Sequence, residues 1–164
     1  IIGKAAAVYD NKEAVQTQSY RPEARGGACS AGVVIDEKEI DYPLLSGADV
    51  LVLMSEEAYH TYRKLLVENG TLIIDENLVH LSEADKKRKV LKVPATKMAE
   101  EIGKRIVANI VMLGFFTATT KLVSYDAMKK AVLSSIPKGT EELNSKAFEQ
   151  GYQYGLKLGA HNEG

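Results

Sequence analysis

The chain has 164 residues, of which 45% are hydrophobic and 26% are charged, and its formal net charge is −1 at pH 7. These totals predict one globular domain with a hydrophobic core. General nucleic-acid binding requires an excess of basic residues, which this composition lacks, so no nucleic-acid partner is expected. The longest apolar stretch, residues 106–116, is interrupted by an asparagine and is shorter than the roughly 20 residues of a transmembrane helix, so no membrane partner is expected.

Cysteine and histidine usage argues against a metal site or a disulfide framework within the chain. Cys29 is the single cysteine, whereas an iron–sulfur cluster takes about four protein ligands. The three histidines, His60, His80 and His161, lie far apart in sequence without metal-ligand spacing. We therefore expect a reduced, cytoplasmic protein that binds no metal and no cofactor by itself.

The first third of the chain predicts a helix and two strands, with a charged loop between the strands. Residues 1–9 are rich in alanine and predict a helix that ends at Asp10. Because this run has no N-terminal cap, we expect the helix to begin upstream of Ile1. Alternating apolar and polar residues predict a strand over residues 13–20, and residues 28–36 predict a second strand.

The next stretch predicts a βαβ unit. Residues 48–54 form a continuous apolar run, which is typical of a strand that is buried on both faces. Ser55 is expected to cap a helix that continues to Glu68 and stops at the Asn-Gly pair that follows. Residues 71–75 predict a buried strand parallel to the first, joined to it by a right-handed crossover.

The second half of the chain predicts one more strand and then helices. Residues 82–89 are interpreted as a solvated, charged turn, and residues 89–93 predict the last strand. Four helices are expected to follow: one capped by Thr96, an apolar one over residues 106–119, one capped by Ser124 and one beginning near Thr140. Strands interleaved with helices predict an α/β fold, a three-layer α/β/α sandwich with a mostly parallel or mixed central sheet in a single domain over residues 1–164.

No self-contained catalytic motif is present in the sequence. It contains no G-x-S-x-G nucleophile turn, no complete G-x-G-x-x-G fingerprint and no Walker loop. Asp36 and Asp75, each at the end of a predicted strand, are interpreted either as general bases or as capping residues.

The connection over residues 21–27 has features that suit a charged ligand or another subunit. Pro22 fixes one φ angle, and the glycine pair at the end of the connection permits close approach of another backbone or of a phosphate. Arg25 offers a planar fork that suits carboxylate or phosphate. A solvated loop with an internal ion pair between Glu23 and Arg25 is the alternative.

The chain resembles the gamma subunit of 2-oxoacid:ferredoxin oxidoreductases in the ordered motifs Q-T-Q-S-Y-x-P-E-A-R-G-G-A-x-S, D-Y-P, A-D-V-L-V, N-G-T-L-I-I-D, V-P-A-T and A-N-I-V-M-L-G. This family includes the pyruvate, 2-oxoglutarate and 2-oxoisovalerate enzymes. The resemblance runs from residue 1 to about residue 154 and is most specific over residues 19–27.

The chain departs from the family pattern in two ways. Arg21 stands where the family usually has glycine, and we expect the domain to lack the family's first strand and the Gly-rich turn after it.

The resemblance implies a subunit, not catalytic alone, of a complex that oxidatively decarboxylates a 2-oxoacid to an acyl-CoA and passes electrons to ferredoxin. It implies thiamine diphosphate, Mg and iron–sulfur clusters on the alpha, beta and delta partner subunits, with coenzyme A as a substrate. A purely structural assembly subunit, an indolepyruvate oxidoreductase-type subunit and a stand-alone nucleotide-binding module are the alternatives.

The resemblance also implies site residues, which concentrate in one loop. The loop residues expected to contact coenzyme A or another subunit are Tyr20, Glu23, Arg25, Gly26 and Gly27. Arg25 is expected to meet either a phosphate of coenzyme A or a carboxylate of a partner. Thr96 and Asn109 are lesser candidates, and a buried amide bonded to backbone is the alternative for Asn109.

Apolar surface in the second half of the chain predicts self-association. The helix over residues 106–116 and the tyrosines Tyr152 and Tyr154 exceed what a core of this size needs. We therefore expect a homodimer when the chain is isolated.

Overall fold

The computed structural model describes residues 1–19, 29–38, 40 and 47–162, and their strands fall into two sheets. Strands β1 (Glu13–Ser19) and β2 (Ser30–Asp36) form an antiparallel pair. Strands β3 (Ala48–Leu53), β4 (Leu66–Asp75) and β5 (Lys89–Val93) form a parallel sheet in the order β3-β4-β5.

Helices surround the parallel sheet. The N-terminal helix comprises α1 (Ile2–Lys4) and the π-helical turn Ala5–Tyr9, which together confirm the Ala-rich helix that ends at Asp10. The remaining helices are α2 (Glu56–Tyr62), α3 (Ala95–Ile102), α4 (Ala108–Thr120), α5 (Tyr125–Leu133) and α6 (Glu141–Asn162). Among the described residues, no helix is both long enough and apolar enough to cross a bilayer.

The parallel sheet is buried on both faces, which confirms the α/β class and its three layers. Leu72 and Ile74 point to one side, where they pack in a cluster with Tyr59 of α2. Ile73 and Val93 point to the other side and join the larger core that α3 to α6 complete. Each fully buried aliphatic side chain stabilises the fold by about 1.5–3 kcal/mol relative to exposure.

Helices α4 and α6 pack so closely that glycine is required where they touch. A Cβ on Gly114 would lie 2.1 Å from the Phe148 carbonyl oxygen, and a Cβ on Gly151 would lie 1.9 Å from that of Val111. The apolar helix is therefore a core element of this chain.

Most of the surface that predicted a homodimer is used inside the chain, although Ile106 is 81% exposed. Phe115 and Phe116 of α4 are buried, Tyr152 stacks edge-on against Tyr125 at 4.6 Å between ring centroids, and Tyr154 packs against Phe115. Most of this helix and both tyrosines thus take part in packing within the chain, and a homodimer stays a prediction.

The helix predicted to run to Glu68 is too long. Helix α2 ends at Tyr62, a 3-10 turn follows, and β4 already begins at Leu66, which pairs with Ala48. Gly70, expected to stop a helix, lies inside the strand, where a Cβ would meet the Ala48 carbonyl oxygen at 3.1 Å. Long-range pairing with β3 overrides the local helical pattern.

The charged connection over residues 82–89 is only partly solvated. Asp85 is 7% exposed, and its Oδ2 accepts hydrogen bonds from the Tyr59 hydroxyl at 2.5 Å and from Arg63 at 3.0 Å. Burial raises the pKa of Asp85, but hydrogen bonds from Tyr59, Arg63 and Ser82 outweigh it and hold the pKa below its usual value. The prediction of a simple solvated turn is wrong at Asp85, which ties this connection to α2.

Candidate functional site

A cleft of about 530 Å³ lies at the carboxyl ends of strands β4 and β5. In parallel α/β sheets, ligands bind beyond the carboxyl ends of the strands, which makes this open surface cleft the candidate site. The strand ends and the start of α3 form one side of the cleft, and α6 forms the other. Its lining combines charged, amide and apolar side chains: Glu76, Asn77, Pro94, Lys97, Met98, Glu101, Glu149, Gln150, Gln153, Tyr154 and Lys157.

The carboxylate of Asp75 fixes the geometry of the cleft where β4 ends. Asp75 is fully buried, and its Oδ2 accepts hydrogen bonds from the Thr96 backbone N–H at 2.8 Å and the Thr96 hydroxyl at 2.6 Å. Its Oδ1 accepts from the Asn77 N–H at 3.2 Å. Both oxygens hold neighbouring segments in place, so the structure favours the capping interpretation of Asp75 over the general-base interpretation.

Thr96 differs from its predicted role as a helix cap. It is the second residue of α3, whose N-cap position is held by Pro94 without a side-chain hydrogen bond. Its side chain is 6% exposed, and its hydroxyl donates to Asp75. The acceptor that stabilises this helix start therefore comes from a strand 21 residues away. Asp36 likewise accepts a hydrogen bond from the Lys38 N–H at 3.0 Å, as expected for a turn residue.

The α6 side of the cleft is braced by a polar chain from α5. Lys129 donates to the Tyr125 hydroxyl at 2.9 Å, which donates to Glu149 at 2.5 Å. Gln153 donates to the other carboxylate oxygen of Glu149 at 2.8 Å. These bonds from Tyr125 and Gln153 lower the pKa of Glu149 below its ordinary value. Burial, followed by the repulsion of Glu76, raises the pKa of Tyr154 above its ordinary value.

The cleft is suited to binding. Its lining carries no nucleophile–base pair, and across the described ranges no group of three His, Cys, Asp or Glu side chains is placed to hold a metal ion. Lys97 and Lys157 supply positive charge and Glu76 and Glu101 supply negative charge, so the cleft matches a polar group of mixed character.

The predicted contact loop falls outside the described residues. This applies to Tyr20, Glu23, Arg25, Gly26 and Gly27, and also to Arg21 and Pro22. The structure describes the two strands that this loop links. Ser19 at the end of β1 pairs with Ser30 at the start of β2, so the loop joins neighbouring antiparallel strands.

Asn109 is exposed, and the interpretation as a buried amide is wrong. It lies in the first turn of α4, on the side of the helix that α6 leaves uncovered. Ile106, in the 3-10 turn just before α4, is 81% exposed. The structure therefore separates Asn109 from Thr96: one faces solvent, and the other is buried beside Asp75.

Sequence reasoning missed the cleft residues. Glu76 and Asn77 directly follow a buried strand, and Lys97 follows the V-P-A-T motif after the next strand. Polar residues directly after two neighbouring parallel strands were the available signal. The contribution of α6 depends on tertiary packing and had no local signal.

Comparison with known proteins places this fold and sequence in one family. Residues 1–154 match the family model described as pyruvate ferredoxin/flavodoxin oxidoreductase. The chain is 51% identical over 163 residues to the 2-oxoglutarate synthase subunit KorC of Methanocaldococcus jannaschii, covering 96% of this chain and 86% of that protein. It is 48% identical over 157 residues to the protein of the same name from Methanothermobacter marburgensis, covering 92% of this chain and 84% of that protein.

A solved structure agrees with these relatives. The crystal structure of a keto/oxoacid ferredoxin oxidoreductase gamma subunit from Geobacter sulfurreducens superposes with a TM-score of 0.81 at 38% identity. The match covers 95% of this chain and 88% of that chain. The likeness thus extends over nearly the whole chain in both sequence and fold.

Proposed function

The chain belongs to the pyruvate ferredoxin/flavodoxin oxidoreductase family, and from that membership we propose that it is the gamma subunit of a complex that oxidises 2-oxoglutarate. The complex converts a 2-oxoacid and coenzyme A to an acyl-CoA and carbon dioxide, and transfers two electrons to ferredoxin. The observation that carries the proposal is the 51% identity, over 96% of this chain, to a subunit of a 2-oxoglutarate synthase. A second 2-oxoglutarate synthase subunit at 48% identity supports the same substrate.

The cofactors belong, in this proposal, to partner subunits. One cysteine is too few for an iron–sulfur cluster, which takes about four ligands. We assign thiamine diphosphate, Mg and the clusters to the alpha, beta and delta subunits, with ferredoxin as the electron acceptor, and we place the assembly in the cytoplasm. When bound there, these groups supply the carbon chemistry and carry the electrons.

This chain contributes binding surface in the same proposal. Arg25 binds a negative group, either a phosphate of coenzyme A or a carboxylate of a partner subunit, because a guanidinium pairs with both in the same planar geometry. Gly26 and Gly27 allow that group to approach the backbone. The cleft at the ends of β4 and β5, held in shape by Asp75, offers a second surface to the shared active centre.

Reconstitution tests the proposal. The chain is co-expressed with the alpha, beta and delta subunits from the same source, and ferredoxin reduction is measured with 2-oxoglutarate and coenzyme A. We expect activity that is lost when this chain is left out and restored when the purified chain is added. A complex that forms and works equally well without it would contradict the proposal, as would catalysis by the isolated chain.

A further inference from the structure

We propose that the face formed by the N-terminal helix and α5 docks against an acidic surface of another subunit of the complex. The inference rests on the proposed function, since it presupposes a multi-subunit assembly. This basic–apolar face consists of four exposed apolar residues and four lysines: Val8, Tyr9, Leu122, Leu133, Lys4, Lys12, Lys121 and Lys130.

The apolar part of the face is exposed where a core would bury it. Val8 is 64% exposed, Leu122 is 40% exposed, and Tyr9 and Leu133 are each 37% exposed. The opposite side of the same helix is fully buried through Ala5 and Ala6, so the helix itself is firmly packed. Apolar side chains that cluster on the surface of a well-packed element are typical of a protein–protein contact.

Hydrogen bonds bring Lys4 and Tyr9 beside the end of α5, and bring Lys12 beside Leu122. The Tyr9 hydroxyl lies 3.4 Å from Ser134 Oγ, next to Leu133 at the end of α5. Lys12 Nζ donates to the Leu122 carbonyl at 2.9 Å, which ties the end of the N-terminal helix to the segment before α5. Lys130 lies one turn before Ser134, and their backbones are hydrogen-bonded at 3.0 Å.

The carboxylate of Asp10 locks the two elements together, and Lys121 and Lys130 are exposed at the surface. Asp10 accepts hydrogen bonds from the N–H and the hydroxyl of Ser124, both at 2.6 Å, so the face has a fixed geometry. Lys4 donates to the Ser134 carbonyl, as Lys12 does to Leu122.

The positive charge of the face is unmatched. In the part of the chain that the structure describes, none of its four lysines forms an ion pair with a carboxylate. The acidic residues on or next to these elements are Asp10, which is bonded to Ser124, and the exposed Glu13 and Asp126, fewer than the four lysines. The face is therefore positive although the whole chain is slightly negative.

The charge identifies the occupant. A symmetric dimer through this face would bring like lysine clusters together, because a two-fold contact pairs the same patch on both copies. A partner that carries carboxylates around an apolar centre gains both burial and charge complementarity. The net charge of the whole chain is −1, which lacks the basic excess of a nucleic-acid-binding protein and so favours a protein partner.

Charge reversal and apolar replacement test the docking face in the assembled complex. The variants are Lys130→Glu and Val8→Glu, measured by binding of the purified chain to the immobilised complex of alpha, beta and delta subunits. Lys64→Glu and Leu156→Glu are the matched controls, since they change an exposed lysine in the 3-10 turn after α2 and an exposed leucine in α6, outside the two elements of the face. Thermal unfolding of each variant shows that the fold is retained, as expected for exposed positions.

We expect each face variant to weaken binding about tenfold and to reduce its dependence on salt, while the controls bind like the wild type. Equal binding by wild type and face variants would overturn the docking proposal and leave the proposed function intact. If the wild-type chain does not bind the other subunits, the proposed function fails and the docking proposal falls with it. The wild-type chain is also tested for binding to phosphatidylglycerol vesicles. If it binds them, and Lys130→Glu abolishes that binding but leaves subunit binding unchanged, the face belongs to a membrane contact and the docking proposal is overturned.

Discussion

Asp75 and Thr96 tie the end of strand β4 to the start of α3, since one buried carboxylate oxygen accepts both the backbone N–H and the hydroxyl of Thr96. The threonine lies in the V-P-A-T motif, and the aspartate ends the N-G-T-L-I-I-D motif. The pair thus explains two of the family-like motifs by a single structural contact beside the cleft.

Replacing Thr96 by valine keeps its shape and removes the hydroxyl donor. We expect the free energy of unfolding to fall by about 1–3 kcal/mol, because Asp75 stays buried with one partner fewer. Urea denaturation measures this change. Thr61→Val is the control: its hydroxyl bonds to a carbonyl within an exposed helical turn, and we expect a change within about 0.5 kcal/mol. Equal losses of unfolding free energy in Thr96→Val and Thr61→Val would contradict the stabilising role of the Asp75–Thr96 pair.

The contact between α4 and α6 predicts opposite effects of the same substitution at two glycines of one helix. Gly151→Ala should destabilise the chain by about 1–3 kcal/mol or more, since its Cβ would lie 1.9 Å from the Val111 carbonyl oxygen. A Cβ added at Gly159 would have no neighbouring atom within 4 Å. Gly159→Ala should therefore stabilise the helix by about 0.5–1 kcal/mol. Thermal unfolding compares the two, and a stable Gly151→Ala protein would refute the close packing.

The cluster around Asp85 predicts acid sensitivity. The pKa of Asp85 is lower in the folded chain than in the unfolded chain, so its stabilising effect is present above an unfolded pKa of about 3.9. It is lost as pH falls through the folded value. Asp85→Asn should therefore have a lower free energy of unfolding than wild type at pH 7. The difference in unfolding free energy between the two proteins should narrow as pH drops below about 4.

Urea denaturation across that pH range measures this difference. Glu83→Gln is the matched control, because the Glu83 side chain is 87% exposed and pairs with Lys86 at the surface. If the difference in unfolding free energy between Asp85→Asn and wild type stays constant as pH falls below about 4, the Asp85 carboxylate does not titrate as proposed.

Arg25→Ala separates two forms of the proposed loop contact. If Arg25 binds coenzyme A, its loss should raise the KM for coenzyme A about tenfold or more with assembly unchanged, as expected for a charged hydrogen bond. If Arg25 binds a partner subunit, the complex should dissociate more easily and the KM should stay the same. Lys138→Ala, which removes an exposed cation outside this loop, controls for net charge. Unchanged kinetics together with unchanged assembly would remove Arg25 from the site.

Sequence patterns predicted the elements whose signals are local. The apolar runs of β3 and of residues 71–75, and the Ser124 cap whose Oγ accepts from the Ala127 N–H, all follow from neighbouring residues. Residues 66–68 were predicted as helix, whereas they belong to β4, whose pairing comes from β3 earlier in the chain.

The site was less predictable for the same reason. Asp75 was recognised as a capping candidate, but its partner Thr96 was expected to cap by itself. Asn109 looked buried because its helix is apolar, whereas the packing of α6 decides which side of α4 is covered. The loop from Tyr20 to Gly27 stays a prediction that rests on the family resemblance.

The most direct test of the central claim is the ratio of kcat/KM for 2-oxoglutarate to that for pyruvate, measured as ferredoxin reduction by the reconstituted complex. The account predicts a clear preference for 2-oxoglutarate and no turnover of either acid by this chain alone. A complex that contains this chain and prefers pyruvate would contradict the substrate, and turnover by the chain alone would contradict its role as a subunit.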